Sequence, residues 1–463
     1  MLLFPIIYIS SFLYSLVSLF KKKVSGIFLF LVFGLPIYTT ALSVSYTSGL
    51  GKMLPLLQSF KEILILSALG YLLYYFSRKF VWHLIDKLIV VFFLYSLLYI
   101  ILPIGQYGPI DKILAFKSLS FFALIYLAGR LFDPRKLFIN QFFHYICLIT
   151  VAATVLLLYE VWHYQHFQTM TGYADYNYYI FNQDPSGDYG LSWTFQTDSG
   201  LKRFASFFSN PLEQSAATLL TVSVLAGLYT QNNNRIKPDT FGWIVLGCTF
   251  VAIVYSLSRA SFVSYFLMIY IYAFLTKKKY ILWFIHGSFI AALIYFFFFI
   301  DKELEEFIID TINFNNPSSL GHLLEWLDGI QAMITKPLGM GLGESGKVSN
   351  ALGQNVGGEN QFIVVGVQIG VIGLAIYTAI YFLLIKNAYK WFKRLQGKEK
   401  KVCLAILLMK IGFLVPMMTS NFESYIYISY ITWFLSGLFV TMISEEKKSG
   451  NVSADIAAVT VAQ

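Results

Sequence analysis

Charged residues are scarce in this sequence. Asp, Glu, Lys and Arg make up 13% of its 463 residues, whereas they make up about 25% of a soluble domain. Hydrophobic residues account for 57% and come in runs such as ILWFIHGSFIAALIYFFFFI, which are much longer than the roughly 4–8 residues of a core strand. Runs of this length span a bilayer as helices. The composition excludes a soluble globular domain and predicts an integral membrane protein.

Cysteine is rare as well. The three cysteines, Cys147, Cys248 and Cys403, lie far apart, each inside an apolar run. An odd, scattered set supplies no disulfide framework and lacks the close spacing of metal ligands. We therefore expect packed or lipid-facing thiols and no metal site.

The net charge of +9 comes from short basic clusters between the apolar runs. This is the pattern of cytoplasmic loops in a membrane protein, so nucleic acid is not an expected partner. The first run, residues 2–20, has no basic segment before it, and Lys21, Lys22 and Lys23 follow it. We interpret it as the first span and not as a cleaved signal peptide.

The alternation of runs and clusters predicts an all-α, polytopic transmembrane helix bundle of about 12–13 spans over residues 1–443. With Lys21–Lys23 in the cytoplasm, thirteen spans put the other basic clusters on the same side. The threading leaves two long extracytoplasmic loops at 163–203 and 301–358, with short amphipathic helices, and a cytoplasmic tail at 444–463 that we expect to be disordered. The predicted spans are 2–20, 24–44, 56–76, 81–103, 113–132, 140–162, 211–230, 240–257, 260–276, 280–300, 360–385, 402–420 and 425–443.

The stretch GLGESGKVS, residues 341–349, fits a dinucleotide-binding pattern and most of a P-loop. A P-loop needs a preceding strand and a Ser or Thr after its Lys, but Pro337 precedes this stretch and Val348 follows Lys347. The threading also places it outside, away from the cytoplasmic nucleotide pools. We predict a turn-rich connection that binds no nucleotide.

The two outer loops differ in composition. The first is dense in Tyr, Trp and Phe with Asp and Asn between them, which suits sugar binding but also an interfacial cap; the sequence leaves both open. In the second, Ser318 or Ser319 can cap an amphipathic helix that ends before Pro337. Its apolar face comprises Leu320, Leu323, Leu324, Leu327, Ile330 and Ile334.

Several charges fall at the predicted outer ends of spans. Arg203, Arg259 and Glu359 are the most informative of these, and Lys202, Glu213 and Glu423 join them. A single interfacial charge can simply snorkel to the surface, but two arginines near a glutamate favour a site. Lys410, deep in the twelfth span, needs a partner or a wet cavity.

Four segments, in order over about residues 200–385, resemble the O-antigen polymerases and O-antigen ligases. RFASFFSNPLEQSAATLL resembles their Arg-x-x-Gly-x-Phe-x-Asn-Pro segment, and SLSRASF their Ser-Arg-Gly/Ala motif. WLDGIQAMITKPLGMGLG resembles a loop helix ending in Pro-Leu-x-Gly-x-Gly, and ENQFIVVGVQIGVIGLAIY the His/Glu-Asn motif with its glycines. Ala205 replaces a frequent Gly, His322 stands near a frequent loop-helix Arg, and Glu359 stands where ligases usually carry His, which favours a polymerase.

The resemblance implies roles for particular residues. Arg203 and Arg259 would stabilise a leaving pyrophosphate, because a guanidinium forms paired bonds to phosphate oxygens. Glu359 would accept the proton of the acceptor hydroxyl or orient that hydroxyl. These three are the predicted catalytic residues. The predicted substrate-binding residues are Asn210, Glu213, Ser258, His322, Lys336 and Asn360.

The implied function is that of a multi-pass glycosyltransferase of the inner (plasma) membrane, joining lipid-linked oligosaccharide repeats into a surface polysaccharide on the extracytoplasmic face. Its substrate would be a polyprenyl-pyrophosphate-linked oligosaccharide, with no cofactor, metal or nucleotide, because the pyrophosphate bond drives the transfer. A chain-length regulator or a flippase is a candidate partner. The alternatives are an O-antigen ligase, which uses another acceptor, and a lipid-linked oligosaccharide flippase, for which the sequence shows no internal repeat.

Overall fold

The computed structural model describes residues 1–76, 80–298, 302, 306, 309–310, 313, 315, 317–351 and 355–461. Within these ranges the protein is helical and has no β-strand, so the predicted all-α class is confirmed. The helices used below are α1 (Leu3–Phe20), α2 (Val24–Thr47), α3 (Gly51–Tyr74), α4 (Leu84–Ile101), α5 (Pro109–Ser120), α6 (Phe122–Leu131), α7 (Ile139–His163), α8 (Tyr173–Phe181), α9 (Pro211–Tyr229), α10 (Thr240–Tyr255), α11 (Arg259–Thr276), α12 (Lys279–Phe298), α13 (Pro317–Thr335), α14 (Gln361–Phe392), α15 (Gly397–Met418) and α16 (Ile426–Val461).

Each predicted span coincides with a helix. Ten helices of the described chain are long and apolar enough to cross a membrane, and α5 with α6, bent by 46°, would make eleven. Of the two that fall short, α10 has 16 residues, about 24 Å against a hydrocarbon core of about 30 Å, and α9 is rich in polar side chains. The helix α16 continues to Val461, so the backbone is helical at 444–461, where the sequence predicts a disordered tail.

The centre of the bundle is the crossing of α6 and α16. A Cβ added to Gly129 would lie 2.0 Å from the carbonyl oxygen of Phe434, and one added to Gly437 would lie 2.0 Å from that of Tyr126. Glycine is therefore required at both positions, because it lets the two backbones approach closely.

Buried ionic groups join the spans, and two of them lie among the described residues of α4, α6, α15 and α16. In the first, Arg130 Nε lies 3.0 Å from Asp86 Oδ1, and both side chains are almost fully buried. In the second, the ammonium of Lys410 lies 3.8 Å from the centre of the Trp433 ring and feels the charge of Glu423. The need of Lys410 for a partner is thus met by an aromatic face and a carboxylate.

The described loop contacts fall into two groups, and the orientation of each group relative to the membrane stays a prediction. On the predicted cytoplasmic end, the basic connections touch one another through Lys398 Nζ to Pro134 O and Lys400 Nζ to Asn232 O. On the predicted outer end, contacts run from Gln106 N to Glu344 Oε1, from Phe204 N to Tyr255 O and from Glu423 N to Gln361 Oε1.

Cysteine labelling tests which end faces outward. In a chain whose native cysteines are replaced by alanine, Ser186→Cys and Gly321→Cys should react with an impermeant maleimide in intact spheroplasts. Both sites are exposed, and a Cβ at Gly321 meets no neighbour within 4 Å. Lys237→Cys, exposed on the opposite end, should react only after permeabilisation. The reverse pattern would overturn the orientation.

Candidate functional site

The Gly-rich stretch binds to a break in α14. Inside that helix, Ile369 and Gly370 have non-helical dihedral angles, with φ 75° and ψ 178° at Gly370. A break frees backbone carbonyls, which must find donors inside a membrane protein. Met340 N donates to Val367 O at 2.7 Å, and Gly341 N donates to Gln368 O at 3.2 Å. Two motifs of the family resemblance are therefore one structural unit.

This unit requires glycine at position 341, because the backbone there lies very close to a neighbouring backbone. Gly341 has φ 115°, and a Cβ added there would lie 2.7 Å from the Cα of Gly105. The backbone N–H of Gly341 donates to the backbone carbonyl of Gln368, and that of Gly343 donates to the side-chain oxygen of the same residue. These two N–H groups are therefore occupied by Gln368, as in a turn that connects two segments.

The loop helix α13 packs tightly on the start of α14. A Cβ at Gly329 would lie 2.1 Å from Cγ2 of Ile363, and one at Gly366 would lie 2.2 Å from Sδ of Met333. This packing fixes α13 beside Glu359 and Asn360, which precede α14. On its other side, α13 exposes Leu320, Leu324, Leu327 and Ile334, which belong to the predicted apolar face.

An acidic and imidazole cluster forms where the two helices meet. His322 Nδ1 lies 2.7 Å from Glu359 Oε2, an ion-pair contact when the imidazole is protonated, although the angle at Nδ1 is outside hydrogen-bond geometry. The two side chains are 28% and 52% exposed, so the cluster is open to a substrate. Glu325 Oε2 accepts a hydrogen bond from Gly358 N at 2.9 Å.

Glu325 is the site residue that the sequence analysis missed. Burial, and then the charge of Glu359, raise the pKa of the Glu325 carboxyl. Two carboxylates in one site hold a proton more strongly than either would alone. The signal was present in the sequence, since Glu325 follows His322 by three residues and therefore shares its helix face.

The two predicted arginines meet at the same end of the bundle. Arg203 is fixed by its backbone N–H, which donates to Phe195 O at 2.9 Å, and Arg259 is the first residue of α11. Burial, and then the charge of Arg259, lower the pKa of Arg203, but a guanidinium remains protonated in proteins. Within the described chain, Arg203 Nε is buried without a hydrogen-bond partner. The pair is suited to an anion.

Arg259 connects the arginines to α13. Its Nη1 lies 3.5 Å from Oγ of Ser319, a long contact to the first turn of that helix. Because Ser319 precedes His322 by three residues, one helix face carries both the contact to Arg259 and the contact to Glu359. The three predicted catalytic residues therefore belong to one assembly organised by α13.

Three predicted substrate-binding residues are helix N-caps. Asn210 Oδ1 accepts from Glu213 N at 2.8 Å, Asn360 Oδ1 accepts from Phe362 N at 3.0 Å, and Ser258 Oγ accepts from Ser261 N at 3.4 Å. These oxygens stabilise the starts of α9, α14 and α11, and so position the neighbouring Glu359 and Arg259. Their direct contact with a substrate stays a prediction.

The other two predicted residues are Glu213 and Lys336. Glu213 is buried and accepts from the backbone N–H of Ser209 at 3.2 Å and from its hydroxyl; it feels the charge of Lys347. Lys336 is exposed just after α13, and the described contacts of its side chain include neither arginine.

The aromatic first loop divides into a buried and an exposed set. Phe195 packs with Leu191 and Ala205 in a small core of its own, as expected of a cap. Four large rings remain exposed: Tyr164, Tyr178, Tyr179 and Trp193. The buried set suits an interfacial cap and the exposed set suits sugar binding, so both interpretations of the loop stay open.

Comparison with models of protein families matches residues 244–378 to the family described as O-Antigen ligase. The predicted resemblance to the O-antigen ligase and polymerase family is thereby confirmed. The O-antigen ligase match covers α11, α13 and the break in α14, and so includes Arg259, His322, Glu325 and Glu359; Arg203 lies outside it. A comparison with curated proteins finds no match.

Replacing the arginines tests the anion site. Arg203→Ala and Arg259→Ala should each lower glycan transfer by about 100-fold or more, because a fixed cation in a partly dry site stabilises developing charge. Lysine at either position should restore only part of the rate, since it cannot form paired contacts. The measurement is transfer by equal amounts of purified protein in nanodiscs.

The matched control is Arg235→Ala, an exposed arginine at the opposite end, which should transfer glycan at the normal rate. Normal transfer by Arg203→Ala or Arg259→Ala would remove that residue from the site.

Proposed function

We propose that this protein is a membrane glycosyltransferase that joins oligosaccharide repeats carried on polyprenyl pyrophosphate into a surface polysaccharide. The observation that carries the proposal is the pair Arg203 and Arg259, connected through Ser319 and α13 to the cluster of His322, Glu325 and Glu359. A cationic site for a leaving group beside a carboxylate base is what this transfer requires. The O-antigen ligase match supports the same class of chemistry.

In the proposed reaction, an acceptor hydroxyl oxygen attacks the anomeric carbon of the donor glycan. The bond between that carbon and the pyrophosphate oxygen breaks, and the pyrophosphate leaves with the electron pair. Arg203 and Arg259 stabilise its growing negative charge. The hydroxyl proton passes to Glu359, whose side chain is half exposed. The proposed reaction consumes no nucleotide and uses no metal ion.

The carboxylate pair answers a difficulty of the sequence-based mechanism. An isolated glutamate has a pKa near 4.3 and is a weak base toward an alcohol. Here burial, and then the charge of Glu359, raise the pKa of Glu325. We propose that the pair shares the accepted proton, with His322 holding Glu359 in place.

Two acceptors fit this chemistry. A polymerase transfers glycan to a second lipid-linked repeat, whereas a ligase transfers it to another acceptor; the family match supports both equally. We favour the polymerase because Glu359 stands where the resemblance places His in ligases. A flippase needs no such constellation. We place the protein in the inner membrane, with a chain-length regulator or flippase as a candidate partner.

Glu359→Gln tests the proposed base. The amide keeps the shape but cannot take the proton, so the rate of chain extension should fall by about 100-fold or more, while lipid-linked substrate still binds. Glu325→Gln should reduce the rate less and move the acid limb of the rate–pH profile to lower pH, because it removes the repulsion that helps the pair hold a proton.

Asp328→Asn is the matched control, since Asp328 is exposed one turn farther along α13 and should extend chains normally. The assay supplies purified protein, a lipid-linked repeat and a metal chelator. Near-normal extension by Glu359→Gln would end the general-base role, and the absence of any extension by the unmodified protein would contradict the proposed function.

A further inference from the structure

A second group of basic residues lies in the bundle, away from the arginines. Lys61 lies on α3, Lys117 on α5, and Lys347 in the short helix Lys347–Ala351 of the outer loop. Two carboxylates accompany them, those of Glu62 and Glu213. With three lysines and two glutamates, the group carries an excess of positive charge.

Glu62 holds two of these lysines through one oxygen atom. Its Oε1 lies 3.3 Å from Lys61 Nζ and 3.2 Å from Lys117 Nζ, while Oε2 is buried without a described hydrogen-bond partner. Lys61 Nζ also donates to the Tyr38 hydroxyl at 3.0 Å. This arrangement fixes both ammonium groups in place.

The depth and exposure of Lys117 indicate that the group borders water. It is the ninth residue of α5, which enters from the predicted outer side, so it lies about 12 Å along the helix. Its side chain is nevertheless 48% exposed. We infer that an ammonium at this depth beside an interior carboxylate faces water and not lipid, because a charge exposed to lipid is costly.

Lys347 is the outermost and least paired of the three. Its side chain is exposed, yet burial is the main factor that lowers the pKa of its ammonium, which indicates an open recess with protein around it. Among the residues that the structure describes, none forms an ion pair or hydrogen bond with Lys347 Nζ. Behind it, a cavity of about 10 Å³ shared with Ser118 and Asn421 holds at most one water molecule. A larger anion would bind on the open side.

This recess borders the proposed catalytic site without coinciding with it. Tyr425 feels the charges of both Glu213 and Glu359, so it lies within electrostatic range of both. Glu213 in turn feels Lys347. The charge of Arg259 acts on Arg203, whereas the charges of Lys61 and Lys117 act on Lys347. The molecule therefore has two separate cationic positions at one end of the bundle.

We propose that Lys347, backed by Lys117 and Lys61, forms a second anion subsite, which takes the pyrophosphate of the acceptor lipid while Arg203 and Arg259 hold that of the donor. The inference rests on the proposed function, since a polymerase uses two substrates that both carry pyrophosphate. It also gives Lys347 a role that the nucleotide-like motif around it does not.

A pair of acceptors tests the subsite. One acceptor is the repeat on polyprenyl pyrophosphate, and the other is the same oligosaccharide without lipid or phosphate. Lys347→Gln should raise KM for the first by at least about tenfold, as expected for loss of a charged phosphate contact, and leave kinetics with the second unchanged. Lys347→Arg should restore most of the affinity. Lys52→Gln, an exposed lysine at the same end, is the control and should match the wild type.

Binding of farnesyl pyrophosphate in nanodiscs tests the subsite without turnover. The wild type should bind two equivalents, and Lys347→Gln and Arg203→Ala should each lose a different one. A single equivalent that Lys347→Gln leaves intact would overturn the subsite, as would an unchanged KM in a protein that extends chains. Displacement of the Lys347-dependent equivalent by phosphatidylglycerol at equal concentration would assign the position to phospholipid instead. Wild-type protein that binds two equivalents but transfers no glycan would refute the proposed function and not the subsite.

Discussion

The candidate site depends on the packing of α13 against the start of α14. At Gly329 and Gly366 the two helices approach so closely that an added methyl group would collide with Ile363 or Met333. That contact sets the rotation of α13, and the rotation decides which side chains face the arginines. In the observed rotation of α13, Ser319 contacts Arg259 and His322 contacts Glu359. Since α13 is an amphipathic helix in a connecting loop, no intrinsic preference would hold it there; tertiary packing does.

The contacts at the break in α14 follow from a general requirement of membrane proteins, that backbone polar groups be hydrogen-bonded inside the protein. A helix interrupted at Gly370 leaves carbonyls that lipid cannot satisfy, and the Gly-rich stretch supplies the missing donors from Met340 and Gly341. The glycines there serve close approach, which explains why the stretch looks like a nucleotide loop in sequence. Both patterns need bare backbone near an acceptor or a ligand, so the pattern alone cannot distinguish them.

Local information in the sequence was enough for the spans and for the basic ends of the bundle. Apolar runs have the length of the bilayer, and the predicted spans overlap helices of the described chain, of which ten, or eleven with the bent pair, are long and apolar enough to cross a membrane. The N-caps at Asn210 and Asn360 also follow local rules. The proximity of Glu325 to Glu359, by contrast, joins residues in different elements, and its geometry depends on how α13 packs against the start of α14. The proximity of Lys347 to Lys117 depends on the route of the loop, which periodicity does not encode.

The ionic groups of the bundle differ in a way that bears on their use. Arg130 has Asp86 and hydroxyl partners around it, and Lys410 has Trp433 and the charge of Glu423. These groups are satisfied inside the protein, as a buried charge must be to avoid a large desolvation cost. Arg203 Nε is buried without a hydrogen-bond partner in the part of the chain that the structure describes. Lys347 Nζ forms no ion pair or hydrogen bond there, although the centre of the Phe181 ring lies 5.9 Å away and the charge of Glu213 acts on it. A membrane protein that keeps a cation incompletely paired near its outer end retains the capacity to bind an anion from outside. The satisfied charges therefore hold the bundle together, and the incompletely paired ones are the positions at which a pyrophosphate would bind.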